Sequence, residues 1–232
     1  MRVLAGTSCF SYKEWKGSFY PEDLPAEEML AYYSARLPAV EINNTFYRMP
    51  KPALLESWAA HVPADFRFIL KASQRITHRK RLKEAGDEVA YFFQTASTLG
   101  DRLGPTLIQL PPNLKKDLPR LESFLSVLPE GARVAFEFRH ASWFEDDVFA
   151  ALRAKGAALC LAEDEELTTP LVATAPWGYL RLRRQDYDDA AVAAWAEKVR
   201  GQSWSDAFVF FKHEDAGSGP KLAAEFLRRF GA

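Results

Sequence analysis

Short apolar segments alternate with amphipathic segments along almost the whole chain. Nearly every apolar segment is followed by a stretch in which apolar residues recur at three-to-four spacing, the period of a helix that buries one face. The eight apolar runs are Val3–Ala5, Ala39–Ile42, Phe66–Leu70, Thr106–Leu110, Arg133–Phe138, Ala157–Ala162, Tyr179–Leu182 and Phe208–Phe211. This alternation of strands with helices predicts a parallel β-sheet.

The number of runs favours a closed barrel over an open sheet. Eight strand–helix units close a (β/α)8 barrel in roughly 250 residues, and this chain has 232. A doubly wound open sheet is the alternative, but it usually carries a glycine-rich phosphate loop after an early strand, and Gly6-Thr7-Ser8 is not that loop. We therefore predict the α/β class and one TIM-like (β/α)8 barrel domain over residues 1–232, with an irregular segment between the sixth run and Pro176.

Charge and hydropathy limit the classes of partner. Thirty basic and 31 acidic residues give a net charge of −1, whereas proteins that coat nucleic acid or anionic membranes are usually basic. Any anion binding must therefore be local. No apolar stretch is long enough to span a membrane, and the N-terminus lacks the pattern of a signal peptide. We expect a cytoplasmic protein without a membrane partner.

Polar residues follow the apolar runs at the point where each predicted strand ends. Active sites of (β/α)8 barrels lie at these C-terminal strand ends, so we expect the residues there to surround one cavity. They are Thr7, Ser8, Glu41, Asn43, Lys71, Gln109, Glu137, Arg139, His140, Asp164, Arg181, Lys212 and His213.

The mixture of charges in this set favours an anionic ligand over a metal ion. Lys71, Arg139, Arg181 and Lys212 alternate with the three carboxylates of Glu41, Glu137 and Asp164. Cations between the carboxylates would compete with a divalent metal, whereas arginine and lysine suit a phosphate or carboxylate. We predict no cofactor. A divalent ion on some carboxylate and histidine side chains is the less favoured alternative.

Aromatic residues are concentrated in the loops after the first, second and fifth runs. Such rings usually pack against each other to order a loop, but they also form stacking surfaces for a sugar or base. The sequence slightly favours stacking for Tyr12, Trp15, Tyr47 and Trp143.

A basic segment after the third run has two interpretations, and an acidic segment after the sixth run could balance its charge. The basic residues of segment 75–83, which include His78, form either a solvated face or a positive rim that gathers phosphate. The acidic segment 163–166 is its possible counterpart.

Several strand-end strings together resemble one known family. They are Gly6-Thr7-Ser8, Ser11–Gly17, Phe19-Tyr20-Pro21, Glu41–Arg48 with Pro50, Phe66-Arg67-Phe68 with Lys71-Ala72, Ile76-Thr77-His78, Gln109–Pro112 and Glu137–His140 with Ser142-Trp143. The pattern is similar to the YecE-like family, domain-of-unknown-function family seventy-two. The resemblance implies a (β/α) barrel and no known reaction.

The chain departs from this family at two places. Cys9-Phe10 stands where the family commonly has Gly-Trp. Arg183-Arg184 follows Arg181-Leu182, where the family often has His-Gly. The second departure makes the barrel mouth more cationic.

The leading functional hypothesis is an enzyme that acts by acid–base chemistry on an anionic substrate, phosphorylated or nucleotide-like. Glu137 or Glu41 would be the acid or base, and His140 or His78 the proton shuttle. The cations would hold the anion, and we expect the pKa of Glu137 to depend on a nearby Lys71. Catalytic roles are thus assigned to Glu41, Lys71, Glu137 and His140, and substrate binding to Tyr12, Trp15, Asn43, Tyr47, His78, Gln109, Arg139, Trp143, Asp164, Arg181 and Lys212.

Three alternatives remain open. The first is a non-catalytic protein that binds a small anionic metabolite. The second, by fold analogy alone, is a metal-dependent phosphodiesterase or endonuclease, for which nucleic acid would be the partner. The third is a lyase that forms a Schiff base through Lys71.

Overall fold

Eight parallel strands pair in chain order, and the last strand pairs with the first to close a barrel. The structure is a computed structural model that describes residues 1–163, 166–213, 215 and 217–231. Each predicted apolar run overlaps one strand, which confirms the predicted barrel. The strands are β1 (Arg2–Ser8), β2 (Ala39–Ile42), β3 (Arg67–Lys71), β4 (Leu103–Gln109), β5 (Val134–Glu137), β6 (Ala158–Glu163), β7 (Gly178–Leu182) and β8 (Asp206–Phe211).

Helices connect the strands along the outside of the barrel. The α-helices are α1 (Met29–Ser34), α2 (Pro52–Ala60), α3 (Gly86–Ala96), α4 (Leu118–Val127), α5 (Asp146–Lys155), α6 (Asp189–Arg200) and α7 (Ser218–Arg228). Short 3-10 helices cover Lys13–Trp15, Ala26–Glu28, Asn44–Phe46, Ser97–Arg102 and Ala141–Trp143, and a π-helix covers Arg75–Arg79. Between β6 and β7 the described residues form no α-helix, in agreement with the irregular segment predicted there. Within the described ranges, no helix has both the length and the hydrophobicity needed to cross a bilayer.

Side chains alternate between the inside and the outside of the barrel, because successive residues of a strand point to opposite faces. One apolar cluster fills the inside, with Ile69, Leu107, Ala135 and Tyr179 among its members. A second, larger cluster lies between the strands and the helices and includes Leu70 of β3. The inward positions are therefore known for each strand, and they determine which residues reach the barrel mouth.

Cys9, directly after β1, adopts a backbone conformation that favours glycine. Its φ of 80° lies in the left-handed region, which costs a residue with a Cβ roughly 1–2 kcal/mol. The Cys9 N–H still donates to the carbonyl oxygen of Glu41 at 2.7 Å, which adds one bond after the paired residues of β1 and β2. This geometry gives a physical reason for glycine at this position in similar sequences.

Candidate functional site

A cavity of about 290 Å³ opens at the C-terminal ends of the strands. Eight of the nine residues around it belong to the set predicted from the sequence, and Arg183 is the ninth. The lining residues are Tyr12, Asn43, Tyr47, Lys71, Gln109, Arg139, Arg181, Arg183 and Lys212.

The two-residue period of the strands places these side chains in the cavity. Ile69 and Leu107 belong to the apolar cluster inside the barrel, so Lys71 and Gln109, two residues later, point the same way beyond the apolar layer. The strand register pairs Gln109 of β4 with Glu137 of β5, so these two residues lie at the same height in the barrel. β3, β4 and β5 thus contribute Lys71, Gln109 and Glu137 just above the dry interior.

Arg181 joins the two buried carboxylates of the site. Its Nη2 donates to Glu41 Oε1 at 2.7 Å, and its Nη1 donates to Glu137 Oε2 at 2.6 Å. All three side chains are nearly or fully buried. Burial opposes the charge of Arg181, but the two carboxylates outweigh it and hold the pKa of Arg181 well above its ordinary value. The guanidinium stays protonated and bridges β2, β5 and β7.

Glu137 has more partners than a carboxylate usually finds. Besides Arg181, it accepts from Arg183 Nη2 at 2.9 Å and from Gln109 Nε2 at 2.8 Å, and Arg139 Nη1 lies 3.8 Å away. Burial alone would raise the pKa of Glu137. Arg181 and Arg183 reverse the direction and lower this pKa to about 2. The surrounding cations thus favour the ionised form of Glu137.

Glu41 is enclosed by hydrogen-bond donors. Tyr179 donates to its Oε2 at 2.6 Å, and Ser8 donates to its Oε1 at 2.8 Å. Asn43 Nδ2 lies 3.4 Å from the same Oε1. Burial raises the pKa of Glu41, but Arg181, Tyr179 and Ser8 together lower it below its ordinary value. The surroundings of Glu41 thus favour its ionised form, as those of Glu137 do.

This arrangement argues against the acid–base roles predicted for Glu41 and Glu137. Both carboxylates are 0% exposed, and neither lines the cavity. An ionised carboxylate whose oxygens already accept several hydrogen bonds has little capacity to take a proton from a substrate. Glu41 and Glu137 instead hold Arg181 in position. Asp164, the third predicted carboxylate, lies outside the described residues.

Lys71 reaches the cavity with a neutral partner. Its Nζ donates to Gln109 Oε1 at 2.7 Å and lies 4.2 Å from the ring centre of Phe46. Lys71 and Glu137 share the site as expected, and the Gln109 amide lies between them, since it accepts from Lys71 and donates to Glu137. Burial and then the charge of Arg181 lower the pKa of Lys71, and Glu41 and Glu137 only partly oppose them, so that it falls to about 8.

The two histidines predicted as proton shuttles are placed differently from each other. His78 packs edge-on against Phe46, with ring centres 4.8 Å apart, and its Nδ1 is 2.8 Å from Thr77 Oγ1. Burial and then Lys71 lower the pKa of His78. His140 Nδ1 binds Ser142 at the start of a 3-10 helix. Neither histidine is among the residues that line the cavity.

Two of the four predicted stacking residues are packing residues. Trp15 and Trp143 are 0% exposed. Trp143 stacks on Phe138, with ring centres 4.7 Å apart, and its Nε1 donates to the Leu114 carbonyl oxygen at 2.7 Å. The prediction that Trp15 and Trp143 stack on a ligand is therefore wrong. Tyr12 and Tyr47 do line the cavity, and Tyr47 is 72% exposed.

The sequence had assigned no role to Arg183 and Tyr179. The spacing of Tyr179, Arg181 and Arg183 could have identified them, because residues two apart in a strand point to the same face. Arg183 had been noted only as a departure that makes the mouth more cationic. The structure brings it into contact with Glu137, which makes it part of the charge network.

The basic segment after β3 contributes little to the cavity. Arg75 and Lys80 both form ion pairs with Glu88 of α3, at 2.9 and 2.8 Å. Across the described part of the chain, no three His, Cys, Asp or Glu side chains come together as metal ligands do. The cations of this segment that pair with Glu88 thus lie outside the residues that line the cavity.

Comparison with known proteins identifies relatives along the whole chain. The family described as "Protein of unknown function DUF72" matches residues 4–232. The UPF0759 protein YecE of Escherichia coli K12 is 34% identical over 116 residues, which are 50% of this chain and 43% of YecE. The UPF0759 protein YunF of Bacillus subtilis is 23% identical over 215 residues, which are 84% of this chain and 74% of YunF. The chain thus matches less than half the length of YecE.

Solved structures share the same fold. A DUF72 family protein from Thermotoga maritima superposes with a TM-score of 0.87 and 26% identity, with complete coverage of both chains. A DUF72 family protein from Enterococcus faecalis gives a TM-score of 0.80 at 17% identity, and covers 100% of this chain and 98% of its own. The family match, the shared barrel and the strand-end motifs agree, and this chain belongs to the DUF72 (YecE-like) family.

Proposed function

We propose that the cavity is the active site of an enzyme that acts on a small, phosphate-bearing substrate. One observation carries the proposal: five cationic side chains line the cavity, and none of its described lining residues is a carboxylate. The five are Lys71, Arg139, Arg181, Arg183 and Lys212. Charge-assisted hydrogen bonds from arginine and lysine are the usual means by which proteins hold phosphate.

The buried carboxylates support this function indirectly. Glu41 and Glu137 fix the orientation of Arg181, and Glu137 also fixes Arg183. A cation held by such contacts needs little reorganisation when an anion binds, which favours affinity. The carboxylates lie beneath the cations, so a substrate meets positive charge first.

The size of the cavity favours a small molecule. Ligand pockets usually enclose roughly 300–1,000 Å³, and this one, at about 290 Å³, lies at the small end. Tyr47 at the rim adds an aromatic surface for a ring or carbon chain. Lys71 supplies the reactive group, since a lysine with a pKa of about 8 is partly a neutral amine near neutral pH.

Calorimetry with glycerol 3-phosphate and glycerol tests the binding step. We expect heat of binding and a raised melting temperature for the phosphate ester only. Lys212→Met should weaken binding about tenfold, because one charge-assisted hydrogen bond is worth roughly 1.5–3 kcal/mol. Lys83→Met is the matched control, since Lys83 is an exposed lysine outside the cavity. Equal affinity for both compounds would contradict the proposal.

Product analysis separates an enzyme from a binding protein. Phosphorylated metabolites that raise the melting temperature are incubated with the protein and followed by NMR. Conversion of one of them supports catalysis. Recovery of every bound compound unchanged would favour the alternative, a protein that binds a small anionic metabolite.

A further inference from the structure

We propose that Lys71 attacks a carbonyl group of the phosphate-bearing substrate and forms an imine with it. The inference rests on the function proposed above and names its substrate class, a small phosphorylated aldehyde or ketone. Its geometric basis is the position of Lys71 Nζ, which lines the cavity beside Arg181, Arg183 and Lys212. A phosphate held by those cations would bring the carbon chain of the substrate close to this amine.

The immediate partners of Lys71 suit a nucleophile better than a structural cation. Its hydrogen bond goes to the neutral amide of Gln109, and its Nζ lies 4.2 Å from the centre of the Phe46 ring. Among the described residues, no carboxylate oxygen lies within 4.0 Å of Nζ. A lysine that serves stability alone normally has a carboxylate partner when it is buried.

The electrostatic environment keeps part of Lys71 neutral. Burial and the charge of Arg181 lower its pKa to about 8, so about a tenth of the amine is neutral at pH 7. A lysine with the ordinary pKa of about 10.4 would be neutral in only about one molecule in 2,500 at that pH. Lowering of the pKa by burial and by neighbouring cations is an established way to activate a catalytic lysine.

The covalent step balances without a further reactant. The lone pair of the neutral amine attacks the carbonyl carbon, the electron pair of the carbon–oxygen π bond moves to oxygen, and one proton passes from the nitrogen to that oxygen, which gives a neutral carbinolamine. The carbinolamine loses its hydroxyl group with a proton from solvent as water, and a carbon–nitrogen double bond forms. Amine, carbonyl and one proton thus yield a protonated imine and water.

Reductive trapping with dihydroxyacetone phosphate tests the inference. The protein is incubated with this ketone at pH 7.5 and reduced with sodium borohydride, and the adduct is located by intact mass and peptide mapping. We expect one adduct on Lys71, less adduct when glycerol 3-phosphate competes, and much less with dihydroxyacetone. The Lys83→Met control should give the same adduct as the natural protein.

Two further measurements distinguish loss of the reactive amine from misfolding of a variant. Lys71→Met should bind glycerol 3-phosphate about tenfold more weakly, since one cavity cation is lost, and should give no adduct at the cavity even when it is saturated with the ketone. In the natural protein, the rate of trapping should rise with pH with a midpoint near 8. Binding of glycerol 3-phosphate without a Lys71 adduct, or adducts spread evenly over surface lysines, would overturn the inference and leave the proposed function standing. Absence of both binding and adduct would overturn both.

Discussion

Lys71 donates its hydrogen bond to the side-chain oxygen of Gln109, 2.7 Å away, and so has a neutral partner in a site rich in charge. The same amide donates to Glu137 at 2.8 Å. The lysine is therefore separated from that carboxylate by one amide group. Burial and the charge of Arg181, which Glu41 and Glu137 only partly oppose, disfavour the charged form of Lys71 in the folded protein relative to the unfolded chain.

Replacement of Lys71 should change how stability depends on pH. Its pKa falls from 10.5 to about 8 on folding, so between these values the unfolded chain binds more protons and the free energy of unfolding rises with pH. Relative to Lys71→Met, the natural protein should gain about 2–3 kcal/mol between pH 8 and 10.5. Urea unfolding at several pH values measures this difference. Lys83→Met should run parallel to the natural protein, and a parallel curve for Lys71→Met would contradict the prediction.

Glu137→Gln should destabilise the protein strongly at neutral pH. It removes the negative charge shared by Arg181 and Arg183, and breaking a buried ion pair costs about 3–5 kcal/mol. Because the pKa of Glu137 is lowered to about 2, its stabilising effect is complete above pH 4.5 and is lost as the pH falls toward 2. The gap between the two proteins should therefore narrow below pH 4.5.

Glu145→Gln is the matched control for that experiment. Glu145 also pairs with a cation, Lys116, but its side chain is 58% exposed. Exposed ion pairs contribute about 0–1 kcal/mol, so this variant should lose little stability in urea unfolding. A similar loss from both variants would mean that burial of Glu137 does not determine its importance.

The barrel and most of the cavity residues could be predicted from the sequence, because the alternation of residues along a strand indicates which side chains point inward. In β3 and β4, alternate residues are apolar until the strand ends, and the next inward residue is Lys71 or Gln109. Register then brings such residues together. Which donor meets which acceptor depends on distances of a few tenths of an ångström, and for this reason the Gln109 amide between Lys71 and Glu137 was not foreseen.

The direction of a side chain is harder to predict from the sequence in a loop than in a strand. An aromatic residue in a long loop has no periodic neighbours to indicate which side it faces, so the sequence could not separate buried Trp143 from exposed Tyr47. Arg183 could be assigned to the mouth from the sequence but not to a contact with Glu137, because it comes one residue after the end of β7. Its inward direction follows only if the strand period continues past Leu182.

Trp143→Ala and Tyr47→Ala should have opposite consequences. Trp143 is fully buried, stacks on Phe138 and donates to Leu114, and large aromatic truncations in a core cost about 3–5 kcal/mol. Tyr47 is 72% exposed at the rim, so its removal should cost under about 1 kcal/mol and should weaken binding of glycerol 3-phosphate. Thermal unfolding and calorimetry measure the two effects. A stable Trp143→Ala protein would contradict the packing assignment.

Tyr179→Phe should weaken the support of Glu41 without opening the cavity. The hydroxyl group donates to Glu41 Oε2 at 2.6 Å deep in the barrel, and loss of a buried hydrogen bond to a charged group costs about 1.5–3 kcal/mol. The pKa of Glu41 should rise, because one of the groups that lower it is removed. Urea unfolding and carboxyl NMR titration measure these changes. An unchanged pKa would mean that Arg181 and Ser8 alone keep Glu41 ionised.

Arg183 and Arg184 are adjacent in the chain and allow a matched test of the charge network. Arg183 lines the cavity and donates to Glu137 at 2.9 Å. Arg184 lies over the Tyr187 ring, 5.0 Å from its centre, and donates to the carbonyl oxygen of Asp186. The two arginines therefore have the same side chain and neighbouring positions in the sequence, but they differ in their surroundings.

Arg183→Met should affect both anion binding and the titration of Glu137. Affinity for glycerol 3-phosphate should fall about tenfold, because one charge-assisted contact is lost. The pKa of Glu137 should rise from about 2, since Arg183 is the second-strongest charge that lowers it, while Arg181 still keeps the carboxylate ionised at pH 7. Calorimetry and carboxyl NMR titration follow the two effects. Arg184→Met should leave both unchanged, and equal effects of the two substitutions would show that overall charge, rather than the cavity geometry, controls binding.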